Sequence, residues 1–204
     1  ELFMSLKSPT IVLGSTSPFR KEVLNKLNIT FETDKPQVDE TPLENESAHQ
    51  LVERLAISKA QAVAERWENA LIIGSDQVAL FEGEILGKPH THENAVKQLS
   101  SFSGNKVTFL TGLAVIDTKS GKTHSLVEPF EVHFKELSSN DIESYLLAEK
   151  PYKCAGSFKS EALGICLFEK LVGQDPNSLI GLPLIKLVEI FKIFGFDVLS
   201  AQNN

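Results

Sequence analysis

In IVLGSTSPFRKEVLNKL, residues 11–27, a short apolar run passes through a turn of small residues into an amphipathic helix. The apolar run predicts a buried strand. Ser17 is a suitable N-cap for the helix, and Pro18 fits its first position, where a missing N–H costs nothing. The stretch therefore predicts a strand–turn–helix unit at the start of the fold.

The turn of this unit also has the composition of an anion site. A helix N-terminus attracts negative charge, and backbone N–H groups at its entrance can bind a phosphate. We expect free backbone donors at 14–17 to converge on an anion together with the side chains of Ser15, Thr16, Ser17 and Arg20. Simple capping of an ordinary helix explains the same residues, so both interpretations stay open on this stretch alone.

Composition limits the class of protein. The chain has 204 residues, of which 42% are hydrophobic and 23% charged, enough to bury a full core as one domain or as two lobes. A net charge of −7 argues against a surface that binds a nucleic acid polymer. Cys154 and Cys166 lack a C-x-x-C spacing, which favours reduced thiols in the cytoplasm and argues against zinc. No apolar stretch is long enough for a membrane span, and no signal-peptide pattern is present.

The order of predicted elements indicates an α/β fold. Strands alternate with helices near both ends, whereas the middle holds antiparallel hairpins that turn near Glu82 and at 119–122. This order predicts a mixed sheet flanked by helices. We expect one domain at 11–199 between tails at 1–10 and 200–204.

Three local expectations bear on the site. The apolar run 70–74 predicts a buried strand that ends just before Asp76, and open α/β sheets present ligand-binding groups at strand ends. A second strand is expected at 165–171, and a loop at 173–182. Asp76 is thus a candidate for chemistry, although a strand-end Asp can also cap a turn.

Other charged residues are weaker candidates. Glu40, in the acidic stretch 31–46, could join Asp76 in holding Mg²⁺, which keeps several of its waters. Lys59, Lys88 and Lys159 could neutralise a polyphosphate. Solvated acids and surface lysines are the ordinary alternatives.

Common catalytic motifs are missing from the sequence. It has no G-x-x-x-x-G-K-[ST] or G-x-G-x-x-G pattern and no G-x-S-x-G elbow. The histidines have neither a triad-like context nor metal-ligand spacing. P-loop, dinucleotide-binding and serine-hydrolase chemistry are therefore not predicted.

Five stretches taken together resemble the Maf family of nucleoside triphosphate pyrophosphatases, in the branch that acts on 7-methyl-GTP. They occur in the family's order, over residues 11–195: STSPFRKEVL, VDETP, GSDQVALFEGEILGKP, CAGSFKSEALG and DPNSLIGLPL. The resemblance implies two lobes around a central cleft, as in the inosine triphosphatases, and cleavage between the α and β phosphates of a nucleoside triphosphate. It also implies a divalent cation (Mg²⁺, Mn²⁺ or Co²⁺), a cytoplasmic location and a homodimer.

The resemblance assigns roles to matching positions. Asp76 matches the family's proton acceptor, which would activate a water for attack on the α-phosphorus. With Glu40 it would also hold the metal. The phosphate-binding positions are Ser15, Ser17, Arg20, Lys59 and Lys88.

Three departures from the wider family predict base specificity. Phe19 replaces an arginine of S-P-R-R, and an aromatic face attracts the cationic base of a 7-methylpurine. The thymidine/uridine branch has Gln where this chain has Glu161 and Thr where it has Gln77. A carboxylate can accept from the guanine N1–H and exocyclic amine together. Core packing of Phe19 beside Leu24 and a solvated Glu161 are the alternatives.

The sequence thus predicts hydrolysis of 7-methyl-GTP to 7-methyl-GMP and pyrophosphate. A pyrophosphatase for dTTP, UTP or other modified nucleotides is one alternative. A nucleotide-sensing regulator of septum formation that needs no turnover is another.

Overall fold

A computed structural model of the chain describes residues 7–203. It contains seven strands and seven α-helices in mixed order. The strands are β1 Thr10–Leu13, β2 Glu32–Thr33, β3 Ala70–Phe81, β4 Glu84–Ile85, β5 Lys106–Asp117, β6 Thr123–Phe134 and β7 Phe168–Gly173. The helices are α1 Pro18–Asn25, α2 Ala48–Ala64, α3 His92–Phe102, α4 Ser139–Glu149, α5 Pro176–Ile180, α6 Leu184–Ile193 and α7 Val198–Ala201.

The strands form one mixed sheet in the order β2-β1-β3-β5-β6-β7, with β4 paired to β3. β1 runs parallel to β2 and to β3, and the remaining pairs are antiparallel. The predicted mixed α/β fold is confirmed. No helix in the described range is long and apolar enough to cross a membrane.

Side chains alternate between the two faces of β1, β3 and β5, as the period of a strand requires. One face packs against α2, around Val12, Ile72 and Ala114. The opposite face packs against α1 and α6, and Ile73 belongs to this cluster. A third cluster, rich in phenylalanine, fills the other half of the sheet beside α3 and α4. Helices therefore cover both faces. The first two clusters share one half of the molecule, and the third cluster forms the other half.

The predicted cap at Ser17 and the predicted turn near Glu82 match the structure. Ser17, Ser47 and Thr91 cap α1, α2 and α3 through their side-chain oxygens. The turn between β3 and β4 has positive φ at both Glu82 and Gly83, the geometry of a tight hairpin.

Two predicted strands are wrong in extent, and one predicted loop is wrong in kind. β3 does not end at residue 74 but continues to Phe81, because β5 pairs with it beyond the end of β1. The strand expected at 165–171 begins only at Phe168, after a 3-10 turn at Leu163–Leu167 in which Ile165 is exposed. The loop expected at 173–182 contains α5.

The limits proposed for the domain stay a prediction. Residues 1–6 of the expected N-terminal tail, and residue 204 of the C-terminal one, lie outside the described residues. The remainder of the C-terminal tail includes the end of α7.

Candidate active site

The turn between β1 and α1 forms one wall of a cavity of about 670 Å³, here called the phosphate cavity. The opposite wall is the extended segment 35–40, and α2 contributes Lys59. Its lining includes the predicted residues Ser15, Ser17, Arg20, Glu40 and Lys59. The structure thus brings together four of the five predicted phosphate-binding residues.

Hydrogen bonds within the turn fix its shape and change its expected chemistry. The N–H groups of Gly14 and Ser15 donate to strand carbonyls, and that of Ser17 donates to Ser15 Oγ at 3.1 Å. The expectation of free backbone donors throughout 14–17 is therefore wrong, because the turn uses these three for its own folding. The Thr16 N–H, the hydroxyl groups and the Arg20 guanidinium are the donors that the turn offers an anion.

Arg20 is held in place by α5, an element that the sequence did not predict. Its Nε donates to the carbonyl oxygen of Gly181 at 2.8 Å, and Ser75 Oγ donates to the same oxygen at 2.7 Å. Burial lowers the pKa of Arg20, and the carboxylates of Asp76 and Glu40 counteract this shift. Because an arginine stays charged in proteins, Arg20 remains a fixed cation beside the cavity.

Asp76 lies in the middle of β3 rather than at its end. It still follows the parallel part of the sheet, since β1 stops opposite Ile73. The Asp76 carboxylate is buried, and Lys59 Nζ donates to its Oδ1 at 2.9 Å. Burial raises the pKa of Asp76, while Lys59 and Arg20 pull it down in part. A carboxylate with a raised pKa is suited to accept a proton from water.

Glu40 and Asp76 share one cation. Lys59 Nζ lies 2.7 Å from Glu40 Oε1 and 2.9 Å from Asp76 Oδ1. Two carboxylates within reach of a single atom form a donor set of the kind that Mg²⁺ takes together with substrate phosphates and water. Within residues 7–203 no group of three or more acidic, His or Cys side chains is arranged to hold a metal. The pair fits a divalent cation that receives its other ligands from outside the protein.

The acidic segment is tied to α2 and to the residues just after it, instead of being solvated throughout. Glu46 receives a bidentate contact from Arg54, and Asp34 accepts from Arg66 and Trp67. These contacts hold both ends of the segment that presents Glu40 to the cavity.

A second cavity of about 200 Å³, here called the base cavity, lies on the other side of α1's first turn. It brings together the three residues predicted to read the base, which are Phe19, Gln77 and Glu161. Phe19 is 49% exposed, which excludes the alternative that it packs in the core. Phe109, Cys154 and Phe158 also line this cavity, and sequence reasoning did not single them out for it.

Gln77 is oriented by its neighbours. Its Nε2 lies 3.0 Å from Thr111 Oγ1, 2.9 Å from the Ser178 carbonyl and 3.2 Å from the Leu179 carbonyl. Both amide hydrogens therefore have acceptors inside the protein. The Gln77 carbonyl oxygen is the group left for a ligand, so this wall accepts hydrogen bonds and does not donate them.

The loop that carries Glu161 is anchored from behind. Phe158 packs edge-to-face against Phe109 and Phe134, and Tyr145 Oη accepts from Lys159 N–H at 2.9 Å. The Ser157 hydroxyl hydrogen-bonds to Gln98 Oε1. No sequence motif marks these anchors, because each joins residues from separate elements.

Two predicted cations lie away from the phosphate cavity. Lys88 is exposed on the segment after β4, and its charge acts on the Cys154 thiol, whose pKa burial raises. Lys159 lines the base cavity. The phosphate-binding role of Lys88 stays a prediction.

Comparison with known proteins identifies relatives over most of the chain. The family model described as "Maf-like protein" matches residues 10–194. The chain is 64% identical to the 7-methyl-GTP pyrophosphatase of Colwellia psychrerythraea, over 95% of this chain and 97% of that one. It is 59% identical to the protein of the same name from Pseudoalteromonas translucida, over 95% and 96%.

Similarity to solved structures is lower. The Ham1 protein of Staphylococcus aureus aligns with a TM-score of 0.45 at 16% identity, over 62% of this chain and 72% of that one. The family assignment therefore depends on the family model and the curated relatives.

Proposed function

The chain belongs to the Maf family, and on that premise we propose that it is a nucleoside triphosphate pyrophosphatase that hydrolyses 7-methyl-GTP. This activity makes it a hydrolase acting on acid anhydrides, as the names of its two relatives indicate for them. The observation that carries the proposal is the pair of cavities on either side of α1's first turn. Arg20 lines the phosphate cavity and its neighbour Phe19 lines the base cavity, and in the proposed complex one nucleotide spans both.

The phosphate cavity supports the hydrolytic chemistry. Asp76 takes a proton from water, whose oxygen attacks the α-phosphorus as the bond from that atom to the bridging oxygen of the β-phosphate breaks. Pyrophosphate leaves, and 7-methyl-GMP keeps the new oxygen. Arg20, Ser15 and Ser17 hold the phosphate oxygens, and Lys59 neutralises their charge.

Glu40 and Asp76 would hold the divalent cation. When bound, it supplies positive charge against the triphosphate and the leaving pyrophosphate. Carboxylate oxygens accept Mg²⁺ and Mn²⁺ alike.

The base cavity supports the choice of base. Its polar groups include two acceptors, the Glu161 carboxylate and the Gln77 carbonyl oxygen, next to Lys159 and Ser160, and its walls are aromatic. Guanine offers adjacent N–H donors, and N7-methylation adds a positive charge that favours both an aromatic face and a carboxylate. Thymine and uracil have a single N–H between two carbonyl groups, so they match this cavity less well.

Pyrophosphate release from a nucleotide panel tests the function. We expect the highest kcat/KM for 7-methyl-GTP over GTP, dTTP and UTP, with Mg²⁺, Mn²⁺ or Co²⁺ present. Asp76→Asn should lower kcat by about 10²-fold or more, because the amide cannot accept the proton. A preference for dTTP or UTP would contradict the proposed substrate. A cellular effect on septum formation that survives Asp76→Asn would favour a regulator instead.

The homodimer, which follows from the family resemblance, and the cytoplasmic location, which follows from the resemblance and the cysteine pattern, remain predictions.

A further inference from the structure

Lys59 stands between Asp76 and the phosphate cavity. Lys59 and Glu40 are among the lining residues of that cavity, whereas Asp76 is not. The side chains of Lys59 and Asp76 are only 13% and 12% exposed, and their contact is 2.9 Å. The ammonium group therefore covers the residue assigned to activate water.

We propose that in the nucleotide-free protein the Lys59 ammonium occupies the divalent-cation site, so that metal and nucleotide must bind together. Glu40 and Asp76 each give Lys59 Nζ an oxygen at contact distance, as they would give a metal. The triphosphate then draws Lys59 off the carboxylates and frees them. This inference rests on the proposed function, since the triphosphate is the ligand that moves Lys59.

The charges around the cavity favour this coupling. Three basic side chains balance three acidic ones, which are Arg20, Lys35 and Lys59 against Asp39, Glu40 and Asp76. A site without excess negative charge has little attraction for a bare dication. A nucleotide supplies both the missing negative charge and the oxygen atoms that replace the partners of Lys59.

The side chain of Lys59 is able to make the move. A lysine is a flexible stem with a point charge at its end, and the cavity beside it measures about 670 Å³. Arg20, in contrast, is tied by its Nε to the Gly181 carbonyl and stays in place. The two cations therefore have different duties: Arg20 is a fixed phosphate anchor and Lys59 a mobile one.

Binding of Mn²⁺ alone, followed by electron paramagnetic resonance of the free ion, tests the proposal without turnover. The wild-type protein should bind Mn²⁺ weakly. Lys59→Met should bind it about tenfold more tightly or better, since an opposite charge at such range changes a carboxylate's affinity for a proton by about one to three powers of ten. Lys59→Gln provides a second variant if the Lys59→Met protein fails to fold.

Two further variants test whether the added affinity for Mn²⁺ arises at Glu40 and Asp76. Lys59→Met combined with Asp76→Asn should lose the gain, because one of the two carboxylates is then neutral. Lys106→Met is the matched control, because Lys106 pairs with Glu131 at 3.0 Å on strands β5 and β6, outside the cavity. It should leave Mn²⁺ affinity unchanged. Equal affinity in the wild type and both Lys59 variants, or a gain that survives Asp76→Asn, would overturn the proposal.

The movement of Lys59 has its own readout. The Lys59 ammonium signal in an ¹⁵N-lysine spectrum, assigned by its loss in Lys59→Met, should stay in place with Mg²⁺ alone and shift when tripolyphosphate is added with Mg²⁺. A shift with Mg²⁺ alone would contradict the coupling. Neither measurement needs pyrophosphate release, so a failure of the proposed substrate and a failure of this inference would be told apart.

Discussion

Asp76 is subject to opposing electrostatic effects. Burial raises its pKa, and the cations Lys59 and Arg20 lower it less than burial raises it. In its proposed role as a general base, Asp76 works only when deprotonated, so we expect activity to be lost as the pH falls through its pKa. That loss should therefore begin above the range of an ordinary aspartate, whose pKa is about 3.9.

A pH profile of kcat/KM tests this balance, because it reports the free enzyme. Lys59→Met removes the largest influence that lowers the pKa of Asp76, so the acid limb should move to higher pH. Lys59→Arg keeps the charge and should leave the midpoint near that of the wild type. An acid limb that Lys59→Met does not move would show that Asp76 does not set it.

Glu161 makes a separate prediction about the base. Glu161→Gln replaces a carboxylate oxygen with an N–H₂ donor, which faces the donors of guanine. Hydrogen bonds to charged groups contribute about 1.5–3 kcal/mol, so kcat/KM for 7-methyl-GTP should fall about 10- to 100-fold. The loss for dTTP should be smaller. Glu169→Gln, at an exposed position on β7, is the control. If Glu161→Gln lowered kcat/KM equally for 7-methyl-GTP and dTTP, Glu161 would have no role in base recognition.

At the scale of elements, features that depend on local sequence were predicted better than features that depend on tertiary pairing. The caps at Ser17, Ser47 and Thr91 were predictable because a cap involves residues within one turn. The full length of β3 was not, because polar residues such as Asp76 interrupt its apolar run and β5 decides how far it extends. α5 was missed although Pro176 and Gly181 stand at its first position and just past its end, the usual signals of a helix.

In the candidate site, too, residues within one motif were predicted, whereas contacts between distant parts of the chain were not. Ser15 and Ser17 were predicted because they lie in one turn of one motif. The Gly181 carbonyl that holds Arg20 is 161 residues away along the chain, and no spacing rule connects them. The Thr111 and Ser178 contacts of Gln77 are likewise set by packing of α5 on β5 and β6.

The packing of α2 on the sheet requires a glycine in β5. A Cβ at Gly112 would lie 2.1 Å from the Val52 carbonyl oxygen, which belongs to helix backbone and cannot rotate away. Gly112→Ala should therefore lower the free energy of unfolding by at least about 1–3 kcal/mol, measured by urea denaturation. Gly87→Ala meets no atom within 4 Å and is the control. A stable Gly112→Ala protein would show that α2 can shift without cost.

The anchor of the base-cavity loop gives a second prediction at this scale. Tyr145→Phe removes the acceptor of Lys159 N–H and should cost about 0.5–1.5 kcal/mol of stability. Amide exchange at Lys159 should become faster, and KM for 7-methyl-GTP should rise with little change in kcat. Tyr152→Phe loses a contact to His92 instead and should leave exchange at Lys159 unchanged. Unaltered exchange in Tyr145→Phe would mean that Phe158 alone fixes the loop.

The long strands β3, β5 and β6 join two halves of the molecule, one around α3 and α4 and the other around α1, α2 and α6. The C-terminal helices pack against the half that contains α1, and Gln202 donates to the Leu27 carbonyl at 2.9 Å. The phosphate cavity and the base cavity are both lined by residues from 14–20, which form the turn after β1 and the first turn of α1. The site therefore depends on the packing of α1 against the C-terminal helices. Where α5 and α6 approach β6, the packing also encloses a carboxyl group, that of Glu128.

Glu128 should make stability depend on pH. It is 5% exposed, and burial raises its pKa, with a partial opposing effect of Lys186 and an added increase from Asp175. The folded protein therefore holds this proton more tightly than the unfolded chain does, and the contribution of Glu128 to stability is lost as the pH rises through its folded pKa. At neutral pH the folded protein bears the cost of a buried charge.

Glu128→Gln keeps the shape of the side chain and removes that charge. We expect a higher melting temperature than wild type at pH 7, and a difference that shrinks as the pH falls towards 4, where the wild-type carboxyl is protonated. Glu169→Gln, at an exposed position on β7 and not among the groups that shift the pKa of Glu128, should show neither effect. A Glu128→Gln protein less stable than wild type at pH 7 would mean that the charge of Glu128 is stabilised by Lys186 more than burial destabilises it.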